Sequence, residues 1–104
     1  MQTPKMEDNA AEAPIAEENS LEAYPNPFAT TTTLEFRLMK DDHVTLTVYD
    51  MQGAEVAVLF DGDVKAGEST KAEFKPEMMS DGTFIARLTS GNGELITRRL
   101  IWIK

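Results

Sequence analysis

The chain has no cysteine in its 104 residues, so no disulfide can staple it and no thiolate can hold a metal or attack a substrate. Histidine occurs once, as His43, in a segment that reads as a turn. A Ser-His-Asp arrangement would have to bring Ser20, Ser69, Ser80 or Ser90 to it, and none of these serines lies on a glycine-flanked nucleophile turn. No enzyme activity is expected. Positive charge is also scarce. Ten Lys and Arg face 18 Asp and Glu, a net charge of −8, whereas a nucleic-acid partner demands a basic face. No apolar run approaches the roughly 18 residues of a membrane span, so no direct membrane insertion is expected. The start lacks the basic and apolar regions of a signal peptide, and Met1 with its polar tail reads as a boundary inside a longer precursor.

Asp61-Gly62-Asp63 and Asp41-Asp42 offer the oxygen ligands that calcium prefers, but the loop is too short to complete a calcium site. Turn aspartates are the ordinary explanation, and no metal or cofactor is expected.

What is present divides the chain in two. Residues 1–20 carry one lysine against five acids, two prolines and, besides the methionines, a single strongly apolar side chain, Ile15. Such a segment buries too little to offset its ordering entropy and reads as a disordered acidic linker. Residues 21–104 read as one domain, and a domain of that size buries roughly 60–65% of its unfolded surface, enough for a single core.

Seven strands are expected in it: Leu21 to Tyr24, Thr32 to Met39, Val44 to Tyr49, Glu55 to Phe60, Ser69 to Phe74, Thr83 to Thr89 and Glu94 to Ile103. The separators are Lys40-Asp41-Asp42-His43, Asp50-Met51-Gln52-Gly53, Asp61-Gly62-Asp63 and Gly91-Asn92-Gly93. Asn92-Gly93 is the strongest hairpin signal. With short spacing and no crossover helix, the fold class is all-β: a small antiparallel, immunoglobulin-like β-sandwich. The expected core takes one side of each strand: Leu34, Phe36 and Leu38; Val44, Leu46 and Val48; Val56 and Val58; Ala72 and Phe74; Phe84, Ala86 and Leu88. The last strand is apolar on both parities near its end. Ile96, Leu100 and Trp102 share one and Leu95, Ile101 and Ile103 the other, so it is either covered twice or exposes an apolar edge.

The entry to this sheet is Tyr24-Pro25-Asn26-Pro27-Phe28. Two prolines in three residues forbid a helix and press Tyr24 and Asn26 toward extended geometry. Phe28 and Tyr24 either plug the open end of the sandwich or present a recognition knob. The other end of the chain carries Arg98, Arg99, Leu100, Ile101, Trp102, Ile103 and Lys104, a basic and apolar strand in an acidic protein. It is either the last core strand with solvated charges or an edge that another protein reads, by strand addition or charge contact.

These pieces together resemble the type A C-terminal sorting domains of cargo proteins of the Bacteroidota type IX secretion system. The residues that carry the resemblance are Tyr24, Pro25, Asn26, Pro27 and Phe28; the strand from Thr32 to Leu38; Val44 to Asp50 with Gly53; Gly67 after Ala66; Asp81 and Gly82 through Arg87 and Leu88; and the basic-apolar ending from Arg98 to Lys104. Phe84-Ile85 stands where tyrosine-phenylalanine is frequent, and Trp102 is bulkier than the usual aliphatic residue. The resemblance implies an export address. The upstream cargo reaches the periplasm, the outer-membrane secretion machinery recognises the domain, the cargo crosses to the cell surface or medium, and a sortase removes the domain, with the cut in the linker before Leu21. Without the resemblance, the same residues also suit a non-catalytic accessory sandwich, fibronectin-like or carbohydrate-binding, attached to a surface hydrolase.

Overall fold

The computed structural model describes residues 19–76 and 82–103. The linker expected over residues 1–20 therefore lies, up to residue 18, outside the described residues, as does Lys104.

Seven strands form among the described residues: β1 (Ser20–Tyr24), β2 (Thr32–Arg37), β3 (Asp42–Asp50), β4 (Glu55–Val64), β5 (Thr70–Phe74), β6 (Thr83–Ser90) and β7 (Leu95–Ile101). They make two antiparallel sheets, one ordered β1-β2-β5 and the other β4-β3-β6-β7. The sandwich is as expected. Its core is the alternating face of each sheet: Leu34 and Phe36 from β2, Val44, Leu46 and Val48 from β3, and Phe84, Ala86 and Leu88 from β6 are all at most 2% exposed. Period-2 patterning places each of these on one side of its pleat, and closing the two apolar faces on each other removes both from water. Among the described residues no helix is long and apolar enough to cross a membrane.

The tight turns are built from the chemistry visible in the sequence. Between β3 and β4, Asp50 Oδ1 accepts from the amides of Gln52 and Ala54, each at 2.9 Å, and Gly53 turns the chain at φ +89°. Between β6 and β7, Asn92 Oδ1 accepts from the Glu94 amide at 3.0 Å and Gly93 adopts φ +92°. Positive φ suits glycine because a Cβ would clash with the backbone there.

Three details depart from the sequence reading. Asp61-Gly62-Asp63 does not separate strands but lies inside β4, which runs on to Val64, and Asp42 and His43 likewise belong to β3. Val58, expected inside, is 51% exposed. The reason is a β-bulge. Leu46 pairs with Phe60 but Thr47 with Val58, so Leu59 is an extra residue and the pleat changes parity around it. Ala57, Leu59 and Phe60 pack on the core instead. Finally, β7 ends at Ile101, and Trp102 continues only as an isolated parallel bridge to Phe28.

Candidate functional site

The two ends of the described chain meet along one edge. β7 is an edge strand, and an edge strand leaves a row of backbone N–H and C=O groups unpaired by any further strand. Pro25 and Pro27 have no N–H to offer it. The Asn26 side chain supplies what they lack: its Nδ2 donates to the Arg99 carbonyl at 2.7 Å and its Oδ1 accepts from the Ile101 amide at 2.9 Å. A carboxamide carries one donor group and one acceptor group in the arrangement of a peptide bond, so here it stands in for a missing strand residue. Phe28 continues the pairing with its backbone, donating to Ile101 O at 2.9 Å and accepting from the Ile103 amide at 2.8 Å. The segment itself enters through two cis peptide bonds, Tyr24-Pro25 and Asn26-Pro27, and Thr32 Oγ1 donates to the Pro25 carbonyl at 2.8 Å.

Aromatic rings close the end of the sandwich beneath this clamp. Phe28 is 1% exposed and stands edge-on to Phe74, with centroids 6.3 Å apart; Phe74 meets Phe84 at 5.2 Å, and Phe84 meets Trp102 at 6.4 Å. Phe28 is therefore a plug. Tyr24 instead lies on the outer face, where its hydroxyl donates to Glu35 at 2.7 Å. That bond holds the Tyr24 hydroxyl above its ordinary pKa, and the Ser69 and Tyr24 hydroxyls together lower that of Glu35. Trp102 is fixed at three points: its amide donates to Gly82 O at 2.6 Å, its indole Nε1 to Ala29 O at 3.0 Å, and its ring packs on the core. A Cβ on Gly82 would stand 3.0 Å from the Trp102 carbonyl oxygen, so any other residue here must push the two backbones apart by a few tenths of an ångström.

Of the expected recognition residues, Arg98, Arg99, Ile101 and Ile103 are exposed, and Trp102 is half-buried. Leu100 is fully buried and faces the core, so in the folded domain no partner can touch it. The Arg98 guanidinium donates to the carbonyl of Thr97 at 2.9 Å, covering part of the edge. The outward parity of β7, with Leu95 at 53%, Ile101 at 37% and Ile103 at 55% exposure, is the apolar edge that the sequence left as one of two outcomes. Of the remaining motif residues, Leu88 is in the core, Arg87 lies over the Tyr49 ring, and Gly67 at φ +79° donates its amide to Leu38 O at 2.9 Å.

Sequence reasoning did not join Asn26 to β7. A signal was available: an asparagine between two prolines is the one residue of the three that retains a donor. It also did not join His43, on β3, to Asp61 and Asp63 on β4. Its Nε2 lies 2.6 Å from Asp61 and its Nδ1 3.0 Å from Asp63, and the two carboxylates raise its pKa. Among the described residues no group of three or more such side chains is placed to hold a metal ion.

The profile of secretion system C-terminal sorting domains matches residues 22–104. The chain belongs to that family. The sorting domain thus spans both halves of the clamp, and its family is one of C-terminal sorting signals for type IX secretion, not of catalysts. Such a signal is attached to an upstream cargo, interacts with the type IX machinery and serves transit to the cell surface or secretion. Among solved structures, CopC from Methylosinus trichosporium OB3b is similar at a TM-score of 0.44 and 12% identity, over 82% of this chain and 91% of that one. No curated protein matches the sorting domain.

Proposed function

We propose that this sorting domain directs an upstream cargo from the periplasm across the outer membrane, that the secretion apparatus reads the basic and apolar strand from Arg98 to Lys104, and that a sortase then removes the domain without the domain doing chemistry itself. The acidic segment ahead of β1, which itself takes in Ser20, serves as the linker, and the cut falls ahead of the folded part. One observation supports this reading most. Asn26 and Phe28 hold β7 in place by its backbone, so Arg98, Arg99, Ile101 and Ile103 remain exposed on a rigid support. Core packing alone does not call for exposed isoleucines there.

The test fuses residues 1–104 behind a signal peptide and a fluorescent reporter in a bacterium that has the system. The reporter is expected outside the outer membrane, and deletion of Arg98 to Lys104 should strand it in the periplasm. Because that deletion also removes part of the core, a second variant appends a short polar tail after Lys104, leaving clamp and core in place. The reading fails if the intact domain leaves its reporter periplasmic, or if the folded variants are exported as well as the parent. Selective binding of the purified domain to an insoluble polysaccharide would favour an accessory module.

A further inference from the structure

The outer face of the four-stranded sheet carries a second surface, which runs from β4 across β3 and β6 to the clamped strand β7. By register, Val58, Thr47, Arg87 and Thr97 form one outward row across β4, β3, β6 and β7, and Glu55, Tyr49, Ile85 and Arg99 form the next. The Arg87 guanidinium lies over the Tyr49 ring, 4.7 Å from its centroid. A guanidinium over an aromatic face gains a cation–π contact, and its planar set of N–H donors can take a carboxylate with two parallel hydrogen bonds. Among the described residues neither Arg87 nor Arg99 forms an ion pair.

The nearby acids are occupied or set apart. Asp50 accepts two backbone amides of its own turn, Asp61 is bound to His43, and Glu55 lies on the far side of Tyr49. Arg87 lines a hollow of about 290 Å³ together with Tyr49, Asp50, Met51, Gly53 and Ile85; the Asp50 carboxylate is turned to the amides of its own turn, and Met51 is 56% exposed. Thr47, between Val58 and Arg87, is already only 6% exposed.

In an otherwise acidic protein, Arg87 on the rim of this hollow and Arg99 beside Ile85 are two guanidinium groups that form no ion pair among the described residues. We infer that this face docks an acidic segment of a partner protein, with carboxylates on Arg87 and Arg99 and one large apolar side chain seated in the hollow against Tyr49 and Ile85. A second copy laid row on row would set arginine against arginine, which like-charge repulsion disfavours. The inference deepens the export reading and rests on it only for placing the partner in the secretion apparatus.

The probe is a fluorescein-labelled pentapeptide, Asp-Glu-Phe-Glu-Asp, titrated with the purified domain and followed by anisotropy, with Lys-Lys-Phe-Lys-Lys as its counterpart. The parent should bind the acidic peptide, more weakly as salt is raised. The double variant R87E/R99E should lose roughly tenfold or more of that affinity, as expected for removing hydrogen bonds to charged groups. R87K/R99K keeps the charge without the planar fork and should fall between the two, and circular dichroism should show all three folded alike. In the export assay R87E alone, which leaves the strand from Arg98 to Lys104 unchanged, should reduce reporter release while the parent is released. Four results would overturn the inference: no binding by the parent, equal binding of the lysine peptide, undiminished binding by R87E/R99E, or binding to phosphatidylglycerol vesicles in place of the peptide. If the parent reporter is not exported but its peptide binding is lost in R87E/R99E, the export reading fails while the acidic-segment site stands.

Discussion

The side chain of Asn26 pairs with Ile101 as a strand neighbour would, accepting its amide hydrogen at 2.9 Å while donating to the carbonyl two residues earlier. One side chain thus joins the first turn of the domain to its last strand. Replacing Asn26 with alanine leaves Arg99 O and Ile101 N to water, and the loss should be about 1–3 kcal/mol, the net value of two hydrogen bonds. Hydrogen exchange should localise it, with the Ile101 amide losing protection while Val44 to Val48 keep theirs. Equal loosening of both regions would mean that Asn26 supports the whole fold and not the edge.

The clamp also depends on Gly82. Its alanine variant brings a Cβ to within 3.0 Å of the Trp102 carbonyl, and the Trp102 amide bond to Gly82 is expected to lengthen. Because the protein has one tryptophan, its fluorescence reports this position alone. Emission from G82A should shift to the red and its melting temperature should fall. Unchanged emission would show that the strands part without disturbing the indole.

Core and surface should separate sharply. Phe36→Ala or Leu46→Ala should cost roughly 2–5 kcal/mol, since both are buried at the centre of a strand. In a domain of this size that is a large share of the total stability. Thr45→Ala, on the outer face, should stay within about 1 kcal/mol. Urea unfolding of the three variants checks the order.

The bulge in β4 makes an independent claim. Val58→Lys should be tolerated within about 0.5 kcal/mol because Val58 points to water, whereas the unbulged register would bury a lysine in the core. Severe destabilisation of this variant would restore the unbulged register.

His43 should make stability pH-dependent in one direction. The carboxylates of Asp63 and Asp61 favour its charged form, so its pKa in the folded state lies above the ordinary 6.5. The stabilisation is complete below the unfolded pKa and is lost as pH rises through the higher folded value. Parent stability relative to His43→Gln should therefore be greater at pH 5.5 than at pH 8.5, and the difference should shrink in high salt because the pair is exposed. The opposite sign in urea titrations would show that His43 is not held as an imidazolium.

The seven strands, their order and the inward residues of β2, β3 and β6 follow from local patterning, because a period of two and glycine or Asx turns are properties of neighbouring residues. The turns at Asp50 to Gly53 and at Asn92-Gly93 are legible for the same reason. Tertiary structure alone decided the rest. The bulge that turns Val58 outward depends on how β3 pairs with β4, and no spacing within β4 encodes it. Asp61-Gly62-Asp63 has the composition of a turn, yet pairing with β3 keeps it extended. The apolar double parity of β7 was visible, but whether its outer side is covered depended on which strand stood beside it. Asn26 and Ile101 are distant in the chain, so their pairing arises only when closure of the aromatic end around Phe28, Phe74, Phe84 and Trp102 carries the proline segment to the edge of β7.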